Sequence, residues 1–297
     1  MAEKIGFIGL GIMGQPMAIN LRKAGYEVWV HARRPECMEP VVAAGATACA
    51  SASEVAEHAS VIFTMVSDTP DVEAVILGEN GIIESINTGS VVVDMSTISP
   101  TSTRAIADLL ETQGVEMLDA PVSGGEKGAI DGALSIMVGG KAEVFERVKP
   151  MFEVMGKNVV HIGDNGAGQV TKACNQVVIA QAISAIGEAY LLAESNGVDP
   201  RKVREALMGG FAGSRVLESH GERMLDGNFK PGFKAKLHQK DMRIVMQTAE
   251  EMGIALPGAA GVTQLLNTAV GQGMGEDDSI SIFRLQQKLS DVKVNKD

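Results

Sequence analysis

A glycine-rich turn near the start of the chain has the spacing that binds a dinucleotide. It follows the pattern GxGxxG and consists of Gly9, Leu10, Gly11, Ile12, Met13 and Gly14. In this pattern the first glycine permits a tight turn, the second lets a pyrophosphate approach the backbone, and the third lets a helix pack on a strand. The helix that begins here would offer free N–H groups to the phosphates. We therefore expect these six residues to bind a dinucleotide.

The residues about 20 positions further on indicate which dinucleotide is used. An acidic residue at the end of the second strand is typical of NAD, and an arginine nearby is typical of NADP. This chain has Ala32, Arg33 and Arg34 there, with no carboxylate. A guanidinium can bind a phosphate with two hydrogen bonds, so the pattern favours NADP(H), with Arg33 as the leading contact. The alternative is that both arginines are solvated turn residues and that NAD(H) is used.

A second segment could bind a small carboxylate. Ser123, Gly124 and Gly125 follow a predicted strand that ends near Asp119. Ligands of open α/β sheets bind outside the carboxyl ends of the strands. A Ser-Gly-Gly turn at such an end exposes one hydroxyl and several N–H groups, which suit an anion. The alternative is a loop without a ligand.

A third segment could supply an acid. Lys172, Asn175 and Gln176 have helical spacing i, i+3 and i+4, so they share one face of a predicted helix. A lysine in an otherwise apolar helix is costly unless it faces a cleft or a partner. An ammonium in a cleft can donate a proton to a reacting oxygen. The alternative is a solvated lysine on an exposed helix face.

The elements that must position these residues alternate between strand and helix in the first half of the chain. The apolar runs Val61–Val66 and Val91–Met95 are typical of strands buried on both faces. This alternation predicts an α/β domain with a parallel, doubly wound sheet. The predicted strands are Lys4–Ile8, Glu27–His31, Val61–Val66, Val91–Met95, Glu116–Ala120 and Ser135–Val138.

The second half shows helical patterns only. We predict a dinucleotide-binding domain over residues 1–164 and a helical domain for substrate binding and oligomerisation over residues 165–297. A long helix over about residues 168–196 connects them. The exposed apolar face of such a helix needs a partner, which predicts a homo-oligomer, a dimer or a tetramer.

Composition excludes several other classes of protein. The formal net charge of −11 disfavours nucleic acid as a partner. The apolar stretch Val177–Ala193 contains Glu188, which disfavours a membrane span. The three cysteines and five histidines are scattered, so neither a metal site nor a disulfide framework is expected. The first residues do not have the pattern of a signal or transit peptide, which predicts a cytoplasmic location.

Four segments, in order, resemble the motifs of the β-hydroxyacid dehydrogenase family. They are Phe7–Leu21, Asp119–Gly125, Gly166–Gln176 and Lys240–Asp241, and they extend over nearly the whole chain. The resemblance implies a nicotinamide-dependent oxidoreductase that acts on a CH–OH group. It also implies a Rossmann-type N-terminal domain followed by an all-α domain.

The resemblance also implies a role for each site residue. Lys172 would exchange a proton with the substrate oxygen, and Asn175 would hold that oxygen, with Gln176 beside it on the same helix face. Ser123, Gly124 and Gly125 would hold the substrate carboxylate. The implied contacts to the cofactor, beyond the glycine turn and the arginines, are Met65, Val66, Thr97, Phe233 and Lys240.

Within the family, two stretches are similar to members that reduce tartronate semialdehyde to glycerate in glyoxylate metabolism. They are Ser123–Gly140 and His220–Asp241. One departure is Asp277-Asp278-Ser279, where such reductases tend to carry Asp-His-Ser. A second is Ala32, where NAD-using members are acidic. The alternatives are 3-hydroxyisobutyrate dehydrogenase, succinic semialdehyde or glyoxylate reductase, and a dinucleotide-binding module without catalysis.

Overall fold

The computed structural model describes residues 3–294 of the chain. The chain divides into two compact units, Met1–Lys172 and Ala173–Asp297. The division lies inside a long helix, four residues after the first of its glycines, Gly168, and each unit has its own core.

The first unit is built on a single sheet of nine strands. Its spatial order is β3-β2-β1-β4-β5-β6-β8-β7, with β9 paired to β8. The strands are β1 (Ile5–Ile8), β2 (Val28–His31), β3 (Thr47–Ala48), β4 (Val61–Thr64), β5 (Val91–Asp94), β6 (Glu116–Asp119), β7 (Val122–Ser123), β8 (Leu134–Gly139) and β9 (Gly156–Gly163). Strands β1 to β6 are parallel, which confirms the predicted fold class.

Helices cover the sheet because its central strands are apolar on both faces. Phe7 and Phe63 point to one core, whereas Ile8 and Ile62 point to the core on the other face. The helices of this unit are α1 (Gly14–Lys23), α2 (Glu39–Ala43), α3 (Ala52–His58), α4 (Thr69–Leu77), α5 (Pro100–Glu111), α6 (Gly125–Ile130) and α7 (Ala142–Met155). The strand order reverses between β1 and β4, where open α/β sheets bind ligands.

The far edge of the sheet differs from the predicted pattern. Strand β8 runs antiparallel to β6 and β7, and β9 then runs parallel to β8. The sequence pattern did not identify β3, β7 or β9. Two of these strands have only two residues, and β9 alternates exposed and covered positions that include the polar Lys157 and Asn158.

The second unit is helical. Its helices are α8 (Ala167–Ser195, which begins in the first unit), α9 (Pro200–Met208), α10 (Glu222–Leu225), α11 (Ala235–Glu251), α12 (Pro257–Ala269) and α13 (Ile282–Ser290). Directly before α10, the structure has a wider π turn at Leu217–Gly221. Gly221 packs there against Tyr190, whose hydroxyl would lie 2.5 Å from a Cβ on that glycine.

Helix α8 is the one helix in the described chain that is long and apolar enough to cross a membrane. Half of its most apolar stretch is buried inside the protein. Ala180, Ile183 and Tyr190 are fully buried and belong to the core of the second unit. Such burial is how the core helix of a globular domain behaves.

Candidate active site

In the glycine turn between β1 and α1, the fold itself requires two of the three glycines, and the other leaves space for a ligand. Gly9 has φ +95°, and a Cβ there would lie 2.3 Å from the carbonyl oxygen of Met65. A Cβ on Gly14 would lie 2.0 Å from the carbonyl oxygen of Gly9. A Cβ on Gly11 would meet no protein atom within 4 Å. The protein itself therefore needs the first and third glycines, whereas the second leaves room for a group that approaches from outside.

The start of α1 suits a negative group. No described side chain caps this helix, and its first turn contains no acidic residue. Gly11 and Ile12 are exposed, Met13 is half-buried, and Leu10 is buried beneath them. Unsatisfied N–H groups at a helix start attract phosphate, so the turn fits the pyrophosphate of a dinucleotide.

The two predicted arginines follow β2 and lie on the surface. The Arg33 side chain is 79% exposed, and its Nη1 lies 3.2 Å from Oδ1 of Asp71 in α4. The Arg34 side chain is 73% exposed and lies 4.0 Å from Glu36. Exposed ion pairs of this kind contribute little free energy, about 0–1 kcal/mol, so Arg33 can exchange Asp71 for another anion.

A buried carboxylate at the end of β5 organises the loops that carry Met65, Val66 and Thr97. Oδ1 of Asp94 accepts hydrogen bonds from Oγ1 of Thr64 at 2.7 Å and from the N–H of Ser96 at 3.1 Å. Oγ of Ser96 in turn accepts the N–H of Val66 at 2.9 Å. The loops after β4 and β5 are therefore held to each other. Burial raises the pKa of Asp94 to about 6, against the lowering effect of these hydrogen bonds.

A second buried carboxylate, at the end of β6, holds the start of α8. Oδ1 of Asp119 accepts the N–H of Gly166 at 2.7 Å, and Oδ2 accepts the N–H of Gln169 at 2.9 Å. A Cβ on Gly168 would lie 2.4 Å from the carbonyl oxygen of Met137. Gly168 thus allows the helix to start directly against the sheet. Burial raises the pKa of Asp119, and the backbone hydrogen bonds oppose that rise.

Gln169 connects the helix start to the loop after β5. Its Nε2 donates to the carbonyl oxygen of Ser96 at 2.8 Å, and its Oε1 accepts the N–H of Ile98 at 3.2 Å. These two bonds bracket Thr97. Sequence reasoning missed Gln169, Ser96 and Asp94. The available signal was a carboxylate that closes an otherwise apolar strand.

Lys172 is buried, with 7% of its surface exposed. Its Nζ donates to the carbonyl oxygen of Val122 at 2.7 Å. The alternative of a solvated lysine on an exposed helix face therefore does not hold. Val122 precedes Ser123, which ends β7. Gly124 and Gly125 follow with φ +139° and +64°, so the Ser-Gly-Gly turn stands next to the residue that Lys172 contacts.

In the second unit, a buried carboxylate joins α8 to α11. Nε2 of Gln176 donates to Oδ2 of Asp241, and Nδ2 of Asn175 donates to Oε1 of Gln176 at 3.1 Å. Nζ of Lys240 lies 2.9 Å from Oδ1 of Asp241. Asn175 and Gln176 of one segment and Lys240 of another, which the sequence singled out independently, therefore belong to one hydrogen-bonded chain.

Phe233 is half-buried and comes shortly before α11, and its ring lies 5.6 Å from that of His238.

Within residues 3–294, no group of three or more His, Cys, Asp or Glu side chains could hold a metal ion. The three cysteines are free thiols.

Two families of domains match consecutive parts of the chain. Residues 4–163 match the family described as the NAD binding domain of 6-phosphogluconate dehydrogenase. Residues 166–286 match the family described as "NAD-binding of NADP-dependent 3-hydroxyisobutyrate dehydrogenase".

Three known proteins are similar to nearly the whole chain. The 2-hydroxy-3-oxopropionate reductase of Escherichia coli K12 is 48% identical over 98% of this chain and 99% of its own. The NAD-dependent L-serine dehydrogenase of Pseudomonas aeruginosa is 37% identical over 97% and 98%. Among solved structures, the 3-hydroxyisobutyrate dehydrogenase of Mycobacterium tuberculosis with L-serine superimposes with a TM-score of 0.89. It is 30% identical and covers 97% of this chain and 100% of its own.

Proposed function

The chain belongs to the β-hydroxyacid dehydrogenase family, and we propose that it reduces tartronate semialdehyde to glycerate. It is an NAD(P)-dependent oxidoreductase that acts on the CH–OH group of small carboxylic acids. One observation carries the proposal: the buried Nζ of Lys172 lies 2.7 Å from the carbonyl oxygen of Val122, beside the Ser-Gly-Gly turn. The 48% identity to the 2-hydroxy-3-oxopropionate reductase supports the choice of substrate.

Cofactor binding begins at the glycine turn. The backbone of Gly9 to Gly14 would hold the pyrophosphate, as the open space at Gly11 and the uncapped start of α1 allow. Arg33, with Arg34 as its neighbour, would bind the 2′-phosphate of NADP(H). The description of the matched C-terminal family as NADP-dependent supports this preference, and the NAD-dependent serine dehydrogenase is the counterexample. When bound, the reduced nicotinamide supplies a hydride.

Substrate binding falls to the turn after β7 and to α8. The hydroxyl of Ser123 and the N–H groups of Gly124 and Gly125 would hold the carboxylate, because an anion needs several donors that converge. Asn175 would hold the carbonyl oxygen, with Gln176 behind it: Oε1 of Gln176 accepts from Asn175 and orients its amide.

Proton transfer is assigned to Lys172. Its ammonium would donate a proton to the aldehyde oxygen during reduction and accept it back during oxidation. The hydrogen bond to the carbonyl oxygen of Val122 orients Nζ, and burial keeps the position defined. A positioned general acid of this kind contributes about 10²–10⁴-fold in rate.

The remaining cofactor contacts come from loops and from α11. Met65, Val66 and Thr97 would line the nicotinamide, and the network around Asp94 would keep their loops in place. Lys240 and Phe233 of the second unit would contact the cofactor. Asp241 supports the role of Lys240, because its carboxylate holds the ammonium at 2.9 Å.

The test is the initial rate of NADPH oxidation with tartronate semialdehyde, with NADH in parallel. Succinic semialdehyde and glyoxylate extend the panel in the direction of reduction. L-serine and 3-hydroxyisobutyrate, with NADP⁺ or NAD⁺, extend it in the direction of oxidation. The proposal predicts the highest kcat/KM for tartronate semialdehyde with NADPH. A higher value for 3-hydroxyisobutyrate or L-serine would assign the enzyme to those substrates instead, and a higher value with NADH would contradict the role of Arg33.

A cytoplasmic homo-oligomer completes the proposal. Helix α8 exposes Val178 and Leu192 by 66% and 68%, and a second copy of the chain would cover them. Light scattering at micromolar concentration should give the mass of a dimer or a tetramer, and a monomer mass would contradict this part. Cell fractionation tests the location.

A further inference from the structure

An ion pair between the half-buried Arg223 and the buried Asp278 fixes the segment that carries Phe233 in the second unit. The Asp278 side chain is 1% exposed, and its Oδ2 lies 3.1 Å from Nη2 of Arg223. The same Oδ2 accepts the N–H of Gly232 at 2.7 Å and the N–H of Phe233 at 3.2 Å. One carboxylate oxygen therefore holds a guanidinium and two successive backbone amides.

Further hydrogen bonds tie the rest of this segment to the same two residues and to Ser279, which follows Asp278. Nη2 of Arg223 also donates to the carbonyl oxygen of Lys230 at 2.5 Å. The N–H of Asp278 donates to the carbonyl oxygen of Phe229 at 3.0 Å. The N–H of Ser279 donates to the carbonyl oxygen of Phe233 at 2.8 Å. The segment Phe229–Phe233 is thus held along its length, although it forms no helix or strand.

Stability alone does not account for this arrangement. Taking the carboxylate of Asp278 out of water costs desolvation free energy that its attraction to the half-buried guanidinium offsets only in part, so an apolar residue could stabilise such a position as well. What the ion pair does supply is geometry, because three donors converge on one oxygen from fixed directions. The group whose position this fixes is the half-buried ring of Phe233.

We propose that Asp278 and Arg223 are positioning residues that hold Phe233 for contact with the dinucleotide. The inference rests on the proposed function, in which Phe233 contacts the cofactor. Asp278 and Arg223 act through the backbone of Gly232 and Phe233 and do not touch the reacting atoms. Their removal weakens cofactor binding and leaves the chemical step intact.

The test is a fluorescence titration of NADPH on the full-length protein, with kcat measured at saturating cofactor. Asp278→Asn is expected to raise the Kd about 3- to 10-fold, the range of one aromatic contact, while kcat changes less than about 2-fold. Asp278→Asn should have no further effect in a Phe233→Ala background. Asp277→Asn is the matched control: this neighbouring carboxylate pairs with Arg284 at the surface, so the Kd should not change.

A second variant keeps the test valid if Asp278→Asn unfolds because Arg223 is left unpaired. Arg223→Gln combined with Asp278→Asn removes both charges and should give the same rise in Kd, with thermal unfolding recorded in parallel. If Asp278→Asn raised the Kd for NADPH by the same factor in the presence and in the absence of Phe233, the positioning role would be overturned. An unchanged Kd in Phe233→Ala would overturn it as well, whereas continued turnover of tartronate semialdehyde would leave the proposed reaction standing.

Discussion

Strands β5 and β6 both end in a buried aspartate, and the two aspartates have different hydrogen-bond partners. Asp94 and Asp119 are partners in the register of these strands, and both are buried. Asp94 accepts from Thr64 and Ser96 and so holds two loops together, whereas Asp119 accepts two N–H groups at the start of α8. The first arrangement fixes the loops that carry Met65, Val66 and Thr97, and the second holds the start of the helix that carries Lys172. The partner elements therefore decide what a buried carboxylate does.

The largest effect is expected from replacing Lys172, which lies on the helix whose start Asp119 of β6 holds. Lys172→Ala is expected to lower kcat by about 10²–10⁴-fold, because the proposed general acid is lost. The Kd for NADPH should stay the same, since the glycine turn is untouched. The matched control is the exposed Lys157→Ala, which should retain full activity. Near-normal kcat in Lys172→Ala would remove this lysine from the mechanism.

Replacement of Asp94, at the end of β5, tests how its burial makes the free energy of unfolding depend on pH. Burial disfavours the ionised form, so the folded protein holds this proton up to about pH 6, whereas an unfolded aspartate loses it near pH 3.8. The folded state binds more protons in this range, so the contribution of Asp94 to the free energy of unfolding falls as pH rises. Between about pH 4 and pH 7, the wild type should lose roughly 2–3 kcal/mol relative to Asp94→Asn.

The measurement for Asp94 is urea unfolding of the wild type and the variant across that range of pH. Asp108→Asn is the control, because it makes the same replacement at an exposed aspartate. A constant difference between the wild type and Asp94→Asn would show that Asp94 titrates normally and that its burial is unimportant.

Replacement of Asp119 tests whether it positions the helix that carries Lys172. Asp119→Asn presents an amide NH₂ to one of the two backbone N–H groups, of Gly166 or Gln169, and so loses one cap. We expect a loss of about 1–2 kcal/mol in the free energy of unfolding. We also expect kcat to fall about tenfold, because a small displacement of Lys172 is costly. Exposed Asp164→Asn, at the same helix end, should change neither, and a loss of stability without a change in kcat would contradict the positioning role of Asp119.

The smallest effect is expected from replacing Arg33, which follows β2. Arg33→Ala should lower kcat/KM for NADPH about fivefold and leave NADH unchanged, because an exposed ionic contact is worth about 1 kcal/mol. Initial rates with both cofactors measure this selectivity, with the exposed Arg215→Ala as the control. An equal loss with NADPH and NADH would show that Arg33 does not read the 2′-phosphate.

The parts of the fold that the sequence predicted well depend on local spacing. The glycine turn, the buried strands and the face shared by Lys172 and Gln176 follow from residues a few positions apart. The parallel sheet followed from their order along the chain, and the structure confirmed it. The reversal at β8 was not predicted, since an antiparallel strand between buried neighbours has the same apolar pattern as a parallel one.

The contacts that organise the candidate site join distant residues. Asp94 lies 30 residues from Thr64, and Asp119 lies 47 and 50 residues from Gly166 and Gln169. No spacing rule connects such pairs, so the sequence identified Asp119 as part of a motif without revealing that it caps α8. Likewise, Arg33 lies at the predicted strand end, but its ion pair with Asp71 of α4 could not be read from β2.

The account depends most on Lys172 as the group that exchanges a proton with the substrate, and pH–rate profiles in both directions test this directly. The assay measures kcat/KM for tartronate semialdehyde reduction and for glycerate oxidation, in the wild type and in Lys172→Ala. A lysine acid must be protonated for reduction and neutral for oxidation, so with rising pH the wild-type reduction rate should fall and the oxidation rate should rise. Both limbs should be absent from the residual activity of the variant. Opposite limbs that persist in Lys172→Ala would contradict the account, because another group would then carry the proton.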